Sequence, residues 1–183
     1  MGYDVALTKA WLELENLKPE RNQSVRFIAD EYDIDLENRR VFSSACNVLA
    51  KDHISVLILH YLIQKLKELP PITGEWISFK QLPGGQGYYP VFKKRVIDPI
   101  IRKYGASPEA LFELTGRVKA KKAQLADVSV VVDVFDSVPT LITLSRADEE
   151  FGPEANILFD KSVKDIFCTE DVVILAEFVV YSI

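Results

Sequence analysis

The run Val128-Ser129-Val130-Val131-Val132-Asp133-Val134-Phe135 constrains this chain more than any other stretch. Its even positions are all valine, and β-branched side chains at period two fit a pleated strand better than a helix. Asp136-Ser137 reads as a turn, and Val138 to Leu144 returns as Val-Pro-Thr-Leu-Ile-Thr-Leu. The pair predicts an antiparallel hairpin. Pro139 has no N–H to give a ladder, so the start of the returning strand is expected on an edge or just outside the ladder.

A second, smaller hairpin is expected within residues 24–45. There Tyr32, Ile34 and Leu36 alternate with aspartates, and Glu37-Asn38-Arg39-Arg40 makes the turn before Val41-Phe42. Helical rhythm marks residues 4–17 and 51–69; Asp52 reads as the cap of the second and Pro70-Pro71 as its stop. On that second helix Ile54, Ile58, Leu59, Leu62, Ile63, Leu66 and Leu69 cover more than half the circumference. His53, His60, Gln64 and Lys67 keep a narrow polar stripe, which predicts a mostly buried helix with one wet edge. Trp76 to Leu82 reads as a strand. Tyr89 to Ile97 reads as a helix with Pro90 in its first turn, kinked or recapped at Asp98-Pro99. Ser107-Pro108-Glu109 opens another helix, residues 162–167 a short one, and Thr169-Glu170-Asp171 caps the last, ending near Tyr181. These elements predict an α+β fold, with helices packed on a small, mainly antiparallel sheet with two hairpins, in one domain over residues 1–183.

A chain of 183 residues can bury a core without disulfide or metal staples. The net charge of -5 argues against general affinity for nucleic acid or anionic membrane. No apolar run approaches the ~20 residues needed to cross a bilayer. The N-terminal stretch carries acids in place of an export signal's apolar core, which points to the cytoplasm. Cys46 and Cys168 lack CxxC spacing. They read as separate reduced thiols, with a Cys46–Cys168 pair as the alternative.

Chemistry concentrates between Thr73 and Arg95. Gly84, Gly85 and Gly87 let a turn aim several backbone N–H groups at one point, and the following helix start adds its positive end. Lys93 and Lys94, with Arg95 beside them, add cationic charge, and Trp76 and Tyr88 offer faces to a planar ligand. The stretch is neither a GxGxxG fingerprint nor a Walker A loop, since Pro90 replaces the third glycine and no Gly-Lys-Ser/Thr follows. A plain strand-to-helix turn with aromatics packed on it is the competing reading. His53 and His60 lie seven residues apart, about 10.5 Å along a helix, too far to share a metal. His60 remains a candidate acid/base. Asp148, Glu149 and Glu150 are weak candidates for a divalent ion, without EF-hand spacing. The basic stretch Arg117–Lys122 reads as a solvated face. No serine sits in a GxSxG elbow.

The order His60-Tyr61-Leu62, Thr73-Gly74-Glu75-Trp76-Ile77-Ser78-Phe79, Pro83-Gly84-Gly85, Phe92-Lys93-Lys94-Arg95, Asp148-Glu149-Glu150-Phe151, Leu158-Phe159-Asp160-Lys161-Ser162 and Thr169-Glu170-Asp171 resembles domain-of-unknown-function family 3786. The resemblance runs from about residue 8 to the end. It implies a bacterial or archaeal protein, mostly of anaerobes. Some members resemble fusions to an iron–sulfur module of the kind found in corrinoid proteins. The resemblance therefore implies work near corrinoid, one-carbon or low-potential redox chemistry, with a corrinoid or iron–sulfur protein as partner. This chain lacks the cysteine cluster to ligate iron–sulfur itself. No cofactor is named by the sequence.

Three functions follow as expectations. The first is a ligand-binding or accessory module holding a small anionic or planar ligand at the glycine turn. The second is an enzyme with His60 as acid/base and the Asp148–Glu150 loop gathering a metal. The third is a homo-oligomeric interaction protein, its apolar patch on the 128–144 hairpin or the last helix.

Overall fold

The computed structural model describes residues 2–182; Met1 and Ile183, the outermost positions of the expected domain, lie outside them. The fold is α+β, with two antiparallel sheets and the helices packed against them. Helix α1 (Asp4–Asn16) leads into a four-stranded meander, β1 (Asn22–Phe27), β2 (Asp30–Asp35), β3 (Arg40–Ser43) and β4 (Val48–Leu49). The single hairpin expected here is thus extended by a strand on each side. Val25, Phe27, Tyr32, Ile34 and Val41 line the meander's buried face.

Helix α2 (Asp52–Leu66) runs through the centre, with nine of its 15 residues buried, which is why its apolar stripe is so wide. Lys51, in extended conformation, is its N-cap, so Asp52 is the first helical residue and not the cap. Glu68 turns into the left-handed region before Pro70 is reached.

The second sheet has order β5-β9-β8-β7-β6. Its strands are β5 (Trp76–Ser78), β6 (Ala120–Ala123), β7 (Val128–Phe135), β8 (Val138–Ser145) and β9 (Glu154–Asp160). The valine hairpin forms β7 and β8 as expected. β8 is a central strand, but its start lies outside the β9 ladder, as Pro139 led one to expect: β8 pairs with β9 only from Thr140 onward, and β7 is irregular between Asp133 and Phe135 opposite it. β9 was not anticipated. β6 draws part of the basic 117–122 stretch into an edge strand, where lysines discourage further pairing. The sheets join where Ile28 N–H donates to Val134 O at 2.7 Å and Phe27 stacks on Phe135 at 4.6 Å.

Two further expectations are corrected. The Trp76–Leu82 strand stops at Ser78, and Phe79–Gln81 form a 3-10 turn capped reciprocally by Ser78 and Gln81. The segment after Ser107 is 3-10 throughout Pro108–Gly116. Helix α5 (Val163–Ile166) and helix α6 (Thr169–Ser182) close the chain, and α6 packs on α2. Among the described residues no helix is long and apolar enough to cross a membrane.

Candidate functional site

The glycine segment is not an open turn. Helix α3 (Gly85–Phe92) begins at Gly85 and continues through a π-helical stretch, Lys93–Ile97, into helix α4 (Asp98–Tyr104). Pro90 therefore lies inside α3. Gly84 is the N-cap at φ 72°, a conformation that costs glycine nothing. Gly85 is required for a different reason. A Cβ there would sit 2.0 Å from Phe79 O, so only glycine lets α3 start against the 3-10 turn. Its N–H donates to Leu82 O and is spent. Gly87 is exposed, with open space around it.

What forms in front of Gly84 is a cleft of about 530 Å³. Tyr3 precedes α1, His53 lies in the first turn of α2, Pro83 and Gly84 open α3, and Thr169 and Glu170 open α6. Residues at the starts of four helices thus line one space, and the positive end of a helix favours an anion nearby. Asp4, Asp52 and Glu170 in those first turns offset part of that potential. Tyr88 and Arg95 of the α3 segment complete one wall, and Val173, Ile174 and Glu177 of α6 the other. Thr169 Oγ1 donates to Pro83 O at 2.7 Å and fastens the two walls at one end. Arg95 Nη1 donates to Glu177 Oε1 at 3.2 Å and fastens them at the other. Among the described residues nothing accepts from the remaining Arg95 donors, so one edge of its guanidinium fork is open. The rings of Tyr3 and His53 lie 5.8 Å apart on the rim.

The other expected site residues divide between those near the cleft and those away from it. Lys93 is turned outward and pairs with Asp98. Lys94 is exposed. Trp76, on β5, lines no wall of the cleft. The neighbouring Thr73, Gly74 and Glu75 have a structural task. Asp160 is only 2% exposed and accepts from Thr73 N–H, Thr73 Oγ1, Gly74 N–H, Ser162 N–H and Ser162 Oγ. Burial raises its pKa, but these donors outweigh burial and hold the carboxyl at about 2. Lys161 pairs with Glu75 beside it. This knot clamps β5 to β9.

His60 pairs with Asp171 of α6, Nδ1 to Oδ2 at 2.7 Å, and lines no wall of the cleft. The hydrogen bond to Asp171 raises its pKa against the opposing effect of burial; Glu13 adds to the rise. The arrangement makes His60 a tie between α2 and α6. The Asp148–Glu150 loop lies at the far end of eight-residue β8 from Asp136, whose carbonyl accepts from Tyr61, the residue next to His60. β8 alone is roughly 23 Å long. Asp148 spends one oxygen on the N–H groups of Glu150 and Phe151. Among the described residues no three His, Cys, Asp or Glu side chains converge to hold a metal. Cys46 and Cys168 are both free. The Cys168 residue has exposed surface, yet burial of its sulfur, then the Asp171 carboxylate, push the thiol up to about 12, so it is no thiolate at neutral pH.

The family model described as Domain of unknown function (DUF3786) matches residues 13–182. The chain belongs to that family. No curated protein and no solved structure matches it. The DUF3786 match takes in α2, α3 and α6, and so every cleft wall except Tyr3. It also takes in both halves of the Asp160 clamp.

Sequence reasoning left Arg95 outside the core of the site and missed Tyr3, His53, Thr169 and Glu177 as lining residues. One signal was present. Tyr88 and Arg95 are seven residues apart, two turns of one helix face. What hid it was the π-helical stretch, which changes the turn angle where the three basic residues sit. A wheel drawn at 3.6 residues per turn does not hold across Lys93, Lys94 and Arg95, so its choice of Arg95 carried no weight.

Proposed function

We propose that this DUF3786 chain is a ligand-binding or accessory module that takes a small, planar, anionic ligand in the cleft between α3 and α6. The observation that carries the reading is Arg95, fixed on one edge by Glu177 and open on the other, at one end of a cleft whose other end is lined by helix starts. An acidic group on the ligand meets the free guanidinium edge, and its ring lies against Tyr88 and the Tyr3–His53 pair. The site therefore keeps Gly84 and Tyr88 of the glycine segment and moves the cationic role from Lys93 and Lys94 to Arg95. The setting implied by the resemblance, cytoplasmic anaerobic one-carbon or redox metabolism with a corrinoid or iron–sulfur protein nearby, belongs to the same proposal.

The test is native mass spectrometry with an absorption spectrum on protein purified without oxygen. The expected result is a small added mass, absent from the Arg95→Ala and Tyr88→Ala variants, or its replacement by an added aromatic carboxylate such as 2-naphthoate. An apo mass with no 2-naphthoate binding contradicts the reading.

A further inference from the structure

The cleft does not end at Glu177. A second, larger cavity of about 790 Å³ lies beside it, and the two share His53, Ile174 and Glu177 as lining residues. Along α6 the lining runs Glu170, Val173, Ile174, Glu177, Phe178 and Tyr181, a continuous strip at helical spacing. From Thr169 to Tyr181 the strip is roughly 18 Å long at 1.5 Å per residue. The two cavities therefore adjoin along one face of α6, one toward the helix N-termini and the other toward the meander.

The two differ in chemistry. The cleft end holds Arg95, the first turns of the helices and two carboxylates, Glu170 and the Glu177 that pairs with Arg95. The far end holds Val48, Leu49, Ile54, Phe178 and Tyr181, with the exposed Lys51 also in its lining. Asp30 and Ser43 also reach this cavity, but they are spent on each other, and Asp30 accepts from Glu31 N–H as well. Strand β4 is the anomaly. Its two residues are apolar and both are exposed, Val48 at 58% and Leu49 at 53%, whereas a half-buried strand hides every other side chain. Tyr181 across the cavity is 82% exposed. Apolar side chains gathered on both banks of one cavity mark a surface that a ligand covers.

We infer that the two cavities form one bipartite site for an amphipathic anion, its acidic head at Arg95 and its extended apolar tail between β4 and the C-terminal half of α6. The inference rests on the ligand-binding reading of the cleft and names the class of molecule bound. Charge complementarity selects this occupant. A purely apolar partner would leave the open Arg95 edge unused, and a small anion would leave Val48, Leu49 and Tyr181 bare.

Calorimetric titrations of the full chain with benzoate, butanoate, octanoate and dodecanoate, each below its micelle concentration, test the inference. Affinity is expected to rise roughly twofold to fourfold per added methylene while the tail lengthens along α6. Leu49→Asp changes an exposed position. It is expected to weaken dodecanoate binding at least tenfold and leave benzoate binding unchanged, whereas Arg95→Ala weakens both. Thermal melts of the variants confirm folding. Benzoate binding without any gain from chain length overturns the bipartite site and leaves the cleft reading standing. Dodecanoate binding unchanged in Arg95→Ala overturns it as non-specific adsorption. No binding of any probe, with light scattering showing a dimer that Leu49→Asp dissociates, overturns both readings in favour of a second copy seated on the same face of α6.

Discussion

Two polar networks in this protein contain residues of similar type and end up with opposite roles. At Asp160 a carboxylate is almost wholly buried, and five donors from Thr73, Gly74 and Ser162 close around it. At Arg95 a guanidinium is more than half exposed, bonded to one glutamate, and lines the cleft. Buried polar groups with every valence met fix a structure. Polar groups held on one side and open on the other are placed to meet something from outside. Both networks tie motifs far apart in the chain, so sequence distance does not distinguish them; the leftover hydrogen-bonding capacity does.

The contrast is broken most severely at Asp160. Asp160→Ala leaves several buried donors unpaired at about 1–3 kcal/mol each, so a loss of about 4 kcal/mol is expected in urea denaturation. Acid gives the same result reversibly. Because the folded pKa is depressed to about 2, the stabilisation is present above the unfolded value and lost as pH falls from about 4 to 2, in all about 2 kcal/mol. Asp160→Asn should flatten that acid limb. If Asp160→Ala melts like the parent, the clamp is not structural.

Gly85→Ala comes next, with a loss of about 2–3 kcal/mol as the new Cβ meets Phe79 O. It is a poor probe of ligand binding for that reason, since any lost affinity would follow lost packing. Equal stability of Gly85→Ala and the parent would show that the start of α3 is not held against the 3-10 turn.

His60–Asp171 sharpens the comparison, being buried on its Asp171 side and part-exposed on the other. The His60 pKa is raised in the folded state, so its contribution is fully present below the unfolded value near 6.5 and fades as pH rises through the folded value. Denaturation midpoints measured from pH 5 to 9 should fall across that window in the parent and stay flatter in Asp171→Asn. A parent midpoint that rises with pH contradicts the tie between α2 and α6.

The smallest stability effect belongs to the open network. Arg95→Ala should cost under about 1 kcal/mol, as exposed ion pairs do, while abolishing binding of a planar anion. A large loss of stability with binding intact would reverse the roles assigned to the two networks.

The sequence carried the fold where periodicity was strong. The valine run fixed β7, and the wide apolar stripe announced that α2 is central. β9 went unread although Ala155, Ile157 and Phe159 alternate, because an acidic loop precedes them and Leu158 interrupts the pattern. Without β9 the central place of β8 could not be seen. The start of α3 was misread because glycine disfavours helix interiors, and only the close approach to Phe79 O explains Gly85. Of the candidate site, Gly84 and Tyr88 could be read locally. Arg95, Glu177 and His53 come together only through tertiary packing.

The most direct test of the central claim is a ¹H–¹⁵N NMR titration of the full chain with 2-naphthoate. Saturable shifts are expected at His53, Gly84, Tyr88, Thr169 and Glu170, with Thr73, Gly74 and Ser162 of the clamp unmoved. Shifts centred on Trp76, Lys94 or the Asp148–Glu150 loop, or no saturable shift anywhere, would contradict the account.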